Sequence, residues 1–453
     1  MKSKAIGYRW TIASLLFFAT TINYLDRQVL SLLFPMLQDE FGWTNSQYAN
    51  IASAFQFTYA ISLLFAGRVI DKLGTKNGFV LAIVVWSVGA IIHAAAIPIG
   101  QLLLPAMGWI GLAAVPVSVL GFIFSRSLLA LGEAGNFPAA IKVTAEYFPK
   151  KERSLATGIF NSGANIGAVL APLSVPWIAD KWGWQMAFII IGAVGFLWLF
   201  FWLIYYAEPE QQTRLTPEEL AYIRQNENNF NAIDEADSTP FKWSSLLKFK
   251  QTWAFSLGKF LTDGVWWFFL FWLPAFLKEK YGMTGTEMMW PLVVLYSMVM
   301  VGSVAGGWFP VIFIKKGYNP YDGRLKAMLI IAIFPLVVLF AQPFGYLSHW
   351  VPVLLIGIGA SAHQAWSANL FTTVSDMFPK KAIASVVGIG GMAGGIGGVL
   401  TTKIGGALFD HYKALGNIEK GYNIMFTFCA LAYLIAWVGM KMLVPKFKQI
   451  EKL

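Results

Sequence analysis

Residues 144–170 read TAEYFPKKERSLATGIFNSGANIGAVL, and residues 374–400 read VSDMFPKKAIASVVGIGGMAGGIGGVL. At an offset of 230, Phe148-Pro149-Lys150-Lys151 falls on Phe378-Pro379-Lys380-Lys381, Gly158 on Gly388 and Gly167 on Gly397. Further along, Asp180 falls on Asp410 at the same offset. Glycine and apolar residues recur in any membrane helix and match easily by chance. A four-residue identity at the same boundary of two apolar runs does not. The pattern predicts two parallel six-span halves related by an axis along the membrane normal, a transporter architecture that holds substrate near the midplane.

The surrounding sequence agrees. The 453 residues are 57% hydrophobic and only 13% charged, whereas soluble domains run near 25% charged. Apolar stretches recur along the whole length, each long enough to cross a hydrocarbon layer of about 30 Å. Backbone groups in lipid must bond internally, so these stretches are expected as helices; barrel strands would read as short alternating segments. The prediction is an all-α membrane protein with 12 transmembrane helices. The spans fall near 10–36, 45–70, 78–98, 117–147, 155–178, 184–206, 251–278, 286–314, 325–343, 350–376, 382–408 and 421–443.

The net charge of +10 is a matter of topology. With the N-terminus inside, 24 of the 34 Lys and Arg residues fall on the cytoplasmic side, five lie opposite and five lie within spans. By the positive-inside rule both termini are cytoplasmic, and nucleic-acid binding is not expected. Cys429, the single cysteine, allows no intramolecular disulfide. The first apolar stretch is longer than a signal-peptide core and holds Asp26 and Arg27, so it reads as a retained helix. The polar stretch 207–250 separates an N-terminal bundle, 1–206, from a C-terminal bundle, 251–453. Within it, Thr216-Pro217-Glu218-Glu219 predicts a helix start with Pro in the first turn.

Gly67-Arg68-Val69-Ile70-Asp71-Lys72-Leu73-Gly74-Thr75-Lys76, between spans 2 and 3, is similar to the signature loop of the major facilitator superfamily. The resemblance implies a gating role for Gly67, Arg68, Asp71 and Gly74. Gly67 would permit close helix approach, Asp71 would pair with basic groups across the cytoplasmic gate, and Gly74 would allow a sharp turn. The equivalent stretch near Pro310 to Gly317 has lost the acid. Within the superfamily the chain resembles the anion:cation symporters, the group containing sialin, aldonate and hexuronate carriers. Asn23-Tyr24-Leu25-Asp26-Arg27 and Arg126 through Pro138 carry that resemblance. Ser361-Ala362-His363-Gln364-Ala365-Trp366-Ser367-Ala368-Asn369 most resembles the bacterial hexuronate branch. The stretch Pro98 to Pro116 departs from the pattern. It is apolar and interrupted by Gly and Pro, as a segment lying on the membrane or capping the outer mouth would be.

Few charges fall deep in the spans: Asp26, Arg27, Arg126, Glu133, Lys142, Lys259, Asp263 and Lys403, with His93 and His363. Each costs roughly 2.5–3.5 kcal/mol at the midplane on insertion scales, so they are expected to face a cavity or one another. Arg126 and Glu133 stand seven apart, on one helix face. The guanidinium of Arg126 is a fixed fork of donors for a substrate carboxylate; a static bridge to Glu133 is the competing reading. Glu133 in an apolar helix is a candidate proton carrier, because desolvation penalises its charged form. Asp26 is a second, with Arg27 expected to hold it ionised until the helices rock; a fixed ion pair between spans is the alternative.

The repeat maps Glu133 onto His363, which could donate to sugar hydroxyls or titrate, or be a packed neutral histidine. Gln364 and Asn369 offer amides suited to hydroxyls, and Trp366 a ring for stacking. Tyr24 and Tyr59 are substrate contacts only as the resemblance implies. Asp263 could contact substrate or sense the gate, and Lys259, one turn before it, could neutralise it, so the pair reads as structural or gating; Lys142 and Lys403 read as snorkelling residues, and His93 as a packed residue. The run Gly388 to Gly398 reads as close helix packing, not a nucleotide loop.

The sequence thus predicts a multi-pass protein of the cell membrane, the bacterial inner membrane. It would import an acidic sugar, a hexuronate such as glucuronate or galacturonate, with protons. An aldonate or other organic-anion symporter, sodium-coupled or not, and a non-transporting sensor are the alternatives. No enzyme motif, cofactor or metal site is expected, and one path per chain lets a monomer suffice. The partners are the acidic sugar, protons and membrane lipid.

Overall fold

The computed structural model describes residues 7–109, 114–224 and 243–450. Residues 110–113, the linker segment 225–242 with Lys242, and Lys2, Lys4 and Lys452 lie outside the described residues, as do the side chains of Lys150, Lys151, Lys380 and Lys381. The described chain is helical. Its helices are α1 (Arg9–Phe41), α2 (Asn45–Leu73), α3 (Thr75–Ile91), α4 (Ala96–Trp109), α5 (Val117–Glu133), α6 (Asn136–Tyr147), α7 (Lys150–Trp182) and α8 (Trp184–Tyr205). They continue as α9 (Pro217–Arg224), α10 (Lys250–Tyr281), α11 (Met289–Lys315), α12 (Pro320–Ile331), α13 (Trp350–Met377), α14 (Lys380–Ala414) and α15 (Ile418–Leu443).

Ten segments among the described residues are long and apolar enough to cross a membrane. Two more helices, α1 and α13, have the length (33 and 28 residues) but are not among the ten. They carry the polar residues from Asn23 to Gln28 and from His363 to Asn369.

Three expected spans are interrupted for one shared reason. A proline cannot donate to the carbonyl four residues back, and its ring crowds that carbonyl. The break between α5 and α6 falls at Ala134-Gly135, one turn before Pro138. Helix α12 ends at Ile331, four residues before Pro335, and the chain continues as a 3₁₀ turn over Phe334–Phe340. The stretch expected as a surface or capping segment begins as helix α4, which follows α3 through a 3₁₀ turn at Ile92–Ala95, just ahead of Pro98.

The chain forms two compact units. One comprises Met1–Val29, Ile61–Ala171 and Trp182–Pro240, and the other Leu30–Ala60, Pro172–Lys181 and Phe241–Leu453. The first is built on α3, α5 and α8, with Trp198 and Trp202 packed on Phe79 at 5.3 and 5.0 Å. Helix α9 docks in this unit. Glu219 accepts from the Tyr8 and Arg9 amides at 2.9 and 3.2 Å and from Arg9 Nη1 at 3.0 Å. The expected helix start is present, with Thr216 Oγ1 accepting from the Glu219 amide at 3.2 Å.

The second unit also holds the C-terminal part of α7, and in it the C-terminal part of α1 and the N-terminal part of α2 pack with α10 and α14. Phe34 stacks on Tyr48 at 3.8 Å, Tyr48 meets Trp272 edge-on at 5.1 Å, and Trp272 meets Phe409 at 4.8 Å. Tyr48 Oη donates to the Phe271 carbonyl at 2.8 Å, and Gln56 Nε2 to Thr402 Oγ1 at 3.0 Å.

The sequence repeat is repeated in the packing. An added Cβ on Gly167 of α7 would come within 2.3 Å of the Thr21 carbonyl of α1. Its counterpart Gly397 of α14 would meet the Phe260 carbonyl of α10 at 1.9 Å. Each glycine lets two backbones touch, α7 on α1 and α14 on α10.

Candidate functional site

Four charges meet in the first unit where α1 crosses α5. Arg27 donates through Nε and Nη2 to one oxygen of Glu133, Oε2, at 2.9 and 2.8 Å. Its Nη2 also reaches Asn23 Oδ1 at 3.4 Å, and its guanidinium carbon lies 4.7 Å from the centre of the Tyr24 ring. Arg126 Nη2 donates to the Arg27 backbone carbonyl at 3.0 Å, so the second guanidinium is anchored to the turn that carries the first. Asp26 lies within electrostatic reach of Glu133 and Arg126. All four are buried, Arg126 and Glu133 completely.

The local sequence explains the meeting. Arg126 and Glu133 share one face of α5, two turns apart. Asp26 and Arg27 are adjacent on α1 and therefore point about 100° apart, so they address different neighbours. Instead of the expected bond to Asp26, Arg27 donates to Glu133, and neither Asp26 oxygen accepts a hydrogen bond. Both carboxyl oxygens of Asp26, and Oε1 of Glu133, are buried without a hydrogen-bond partner. The static Arg126–Glu133 bridge is likewise replaced by Arg27–Glu133 at 2.8 Å. A buried, under-bonded carboxyl oxygen is costly while ionised and is relieved by a proton.

The second unit holds the other group of candidates. The His363 ring stacks on Trp266 at 5.3 Å and 9°, and its Nδ1 shares a hydrogen bond with Tyr433 Oη at 3.0 Å. Gln364 is half-buried. Trp366 does not offer a face for stacking, because it is wholly enclosed and packs edge-on against Tyr433 at 5.6 Å. Asn369 spends its amide on packing, with Nδ2 donating to the Gly306 and Ala365 carbonyls at 2.8 Å each. Tyr59 is half-buried and stacks on Phe55 at 5.8 Å. Trp266 and Tyr433 were not singled out from the sequence. With 19 Trp and 16 Tyr residues, neither is distinctive there; the position of Trp266 one turn beyond Asp263 is the only hint.

Around the signature loop, Gly74 has φ of +78°, the left-handed region that glycine enters freely. Gly67 departs from its expected part: a Cβ there would meet open space, so it is not a close-packing glycine. Asp71, an exposed side chain, pairs at 2.8 Å with the part-exposed Lys142 on α6 of the same unit. Arg68 is exposed. His93 is packed as expected, stacked on Phe188 at 4.6 Å and 6°. Lys259 and Asp263 are joined at 2.6 Å.

Ten described segments apolar and long enough to cross a membrane, with the Arg27–Glu133 pair buried between α1 and α5, mark a multi-pass membrane protein. The model of the Major Facilitator Superfamily matches residues 16–402, and the chain belongs to that family. It is 32% identical over 439 residues to the hexuronate transporter of Escherichia coli (strain K12), covering 96% of this chain and 94% of that one. It is 31% identical to the galacturonate transporter of Dickeya chrysanthemi, covering 79% and 96%. Among solved structures, the D-xylose-proton symporter superposes with a TM-score of 0.72 over 98% of this chain and 100% of that one, at 15% identity, a likeness of fold.

Proposed function

We propose that the protein imports an acidic sugar, most simply a hexuronate, across the bacterial inner membrane together with protons. The observation that carries this reading is the enclosed cluster of Asp26, Arg27, Arg126 and Glu133. Two guanidiniums can hold a carboxylate substrate, and two acids can carry protons. The hexuronate and galacturonate transporters among the relatives, 32% and 31% identical, supply the substrate class.

In this reading twelve spans form two six-span halves, 1–206 and 251–453, joined by 207–250, with both termini cytoplasmic and one path in each monomer. Arg126 receives the substrate carboxylate when α1 and α5 shift. Arg27 then exchanges Glu133 for Asp26 as the acids gain or lose protons. Tyr24 and Tyr59, with His363 and Gln364, offer hydroxyl and ring contacts to the sugar. Asp71, Gly74, Gly67 and Arg68 belong to the cytoplasmic gate. A monoanion entering with one proton moves no net charge, so the pH gradient alone drives it, whereas a second proton adds about 2.3 kcal/mol per 100 mV.

The test is uptake of labelled glucuronate and galacturonate into proteoliposomes under an imposed pH gradient, acid outside. The reading predicts accumulation that collapses with an uncoupler; uptake indifferent to the gradient rejects proton coupling. The D-galactonate transporter of Escherichia coli O6:H1, 25% identical over 89% of this chain, favours an aldonate as the second reading. Competition between glucuronate, galacturonate and galactonate separates the two.

A further inference from the structure

Lys259 and Asp263 form an ion pair with no part in the coupling cluster. They stand one turn apart on α10, inside a membrane span, at 2.6 Å. Removing two charges from water costs several kcal/mol for each ion, and apolar residues of similar size are often as stable or more so. A pair placed inside a span is therefore a candidate for function.

Its surroundings are asymmetric. Lys259 is the more enclosed partner, its side chain 8% exposed against 16% for Asp263. Its ammonium lies 4.5 Å from the centre of the Phe371 ring, so one flank is aromatic and another is Asp263. Asp263 Oδ2 occupies the space left by Gly394 of α14, where a Cβ would come within 2.2 Å. One turn further along α10, Trp266 lies half-buried against His363. A positive charge is thus masked by the more exposed carboxylate of the pair, with a half-buried aromatic ring one turn away.

Acidic sugars differ at the end remote from the shared carboxylate. A hexuronate or aldonate carries hydroxyls there, and an aldarate carries a second carboxylate. We infer that Lys259–Asp263 is a selectivity pair: Asp263 accepts hydrogen bonds from the hydroxyl end of the sugar and, by neutralising Lys259, turns away a second carboxylate. Rejection by an opposed charge is a general route to specificity. The inference deepens the acidic-sugar reading and rests on it.

The experiment is competition for labelled glucuronate uptake by unlabelled glucuronate and by galactarate, in wild type, Asp263→Asn, Asp263→Ser and Lys259→Gln/Asp263→Asn. Folded protein is followed by size-exclusion chromatography. Both single variants should lower the galactarate half-inhibition concentration relative to glucuronate by at least about tenfold, the scale of one charge-assisted contact. The double variant, lacking the unmasked cation, should return to the wild-type ratio. An unchanged ratio in the single variants overturns the inference, as does an equal fall in the double variant. Loss of folded protein in both single variants would assign the pair to packing and overturn it too. Failure of wild type to take up glucuronate strikes the function instead, so the two failures are distinct.

Discussion

Asp180 and Asp410, counterparts in the sequence repeat, perform the same task in the fold: each carboxylate accepts at least one backbone N–H where another helical segment begins. Asp410, near the end of α14, accepts from the Asn45 and Ser46 amides of α2 at 2.8 Å each and from Asn45 Nδ2 at 3.1 Å. Asp180, near the end of α7, accepts from the Thr286 amide, just before α11, at 3.2 Å. The first amides of a helix have no partner within it, and the helix dipole favours an anion there. Both contacts lie in the second unit, at the end where α1 turns into α2. They tie part of the N-terminal sequence half to the C-terminal half.

In the alternating-access reading these two aspartates latch the gate remote from the termini. Asp410→Ala removes three bonds and Asp180→Ala one, so the first should loosen that gate more. A cysteine at the buried position Leu33, in a Cys429→Ser background, reports on opening through an impermeant maleimide added to intact cells. Labelling should speed up several-fold in Asp410→Ala and less in Asp180→Ala. Equal rates in all three proteins would remove the latch from the mechanism.

The repeat also predicts which glycines tolerate a methyl group. Gly167→Ala and Gly397→Ala push a Cβ against a backbone carbonyl, at 2.3 and 1.9 Å, where neither helix can yield cheaply. Overpacking of this kind costs typically 1–3 kcal/mol. Gly158 and Gly388 face open space, so their alanine variants should be neutral or slightly stabilising. Thermal unfolding in detergent distinguishes the pairs: a fall of several degrees for the first two and none for the second.

The fold was legible because hydropathy and the repeat report on lipid, a solvent whose demands are uniform along the chain. Helix breaks were less legible. Pro138, Pro335 and Pro98 interrupt their spans, whereas Pro35 and Pro274 lie inside unbroken helices, α1 and α10. Proline is tolerated inside a membrane helix where neighbouring groups take up the freed carbonyl, a tertiary property that the sequence does not display. In the site, Arg27, Asp26, Arg126 and Glu133 were identifiable as charges too costly to be idle. Their pairing was not, because sequence adjacency suggested Asp26–Arg27 while helix geometry turns adjacent side chains apart. Trp366 and Asn369 read as sugar contacts by residue type alone, and packing against Tyr433 and Gly306 claims them instead.

Arg126 is predicted to be irreplaceable even by another cation. Its guanidinium holds the Arg27 carbonyl at 3.0 Å, and its fork offers further donors that the point charge of a lysine cannot reproduce. Arg126→Lys should lower glucuronate affinity by at least about tenfold, the scale of one charge-assisted hydrogen bond, and Arg126→Ala should abolish binding. Both are measurable as ligand-induced thermal stabilisation of the purified protein. Normal stabilisation of Arg126→Ala by glucuronate would move the carboxylate site elsewhere.

Glu133 and Asp26 should separate under conservative substitution, because one is bonded and the other is not. Glu133→Gln retains the side-chain oxygen that accepts from Arg27 but loses its charge, so it mimics the protonated state and leaves Arg27 free to turn to Asp26. Such a carrier should still exchange internal for external substrate, since exchange requires no net proton movement, yet fail to accumulate substrate against a gradient. Asp26→Asn places an amide where neither carboxyl oxygen has a hydrogen-bond partner. It should also uncouple accumulation, but with little loss of stability, because no bond is broken. Glu133→Ala, by contrast, strands Arg27 in a buried site and should destabilise the protein by about 3–5 kcal/mol. Counterflow, gradient-driven uptake and thermal unfolding measured on the three variants give a different signature for each. Undiminished accumulation in both Glu133→Gln and Asp26→Asn would exclude these acids as the proton carriers.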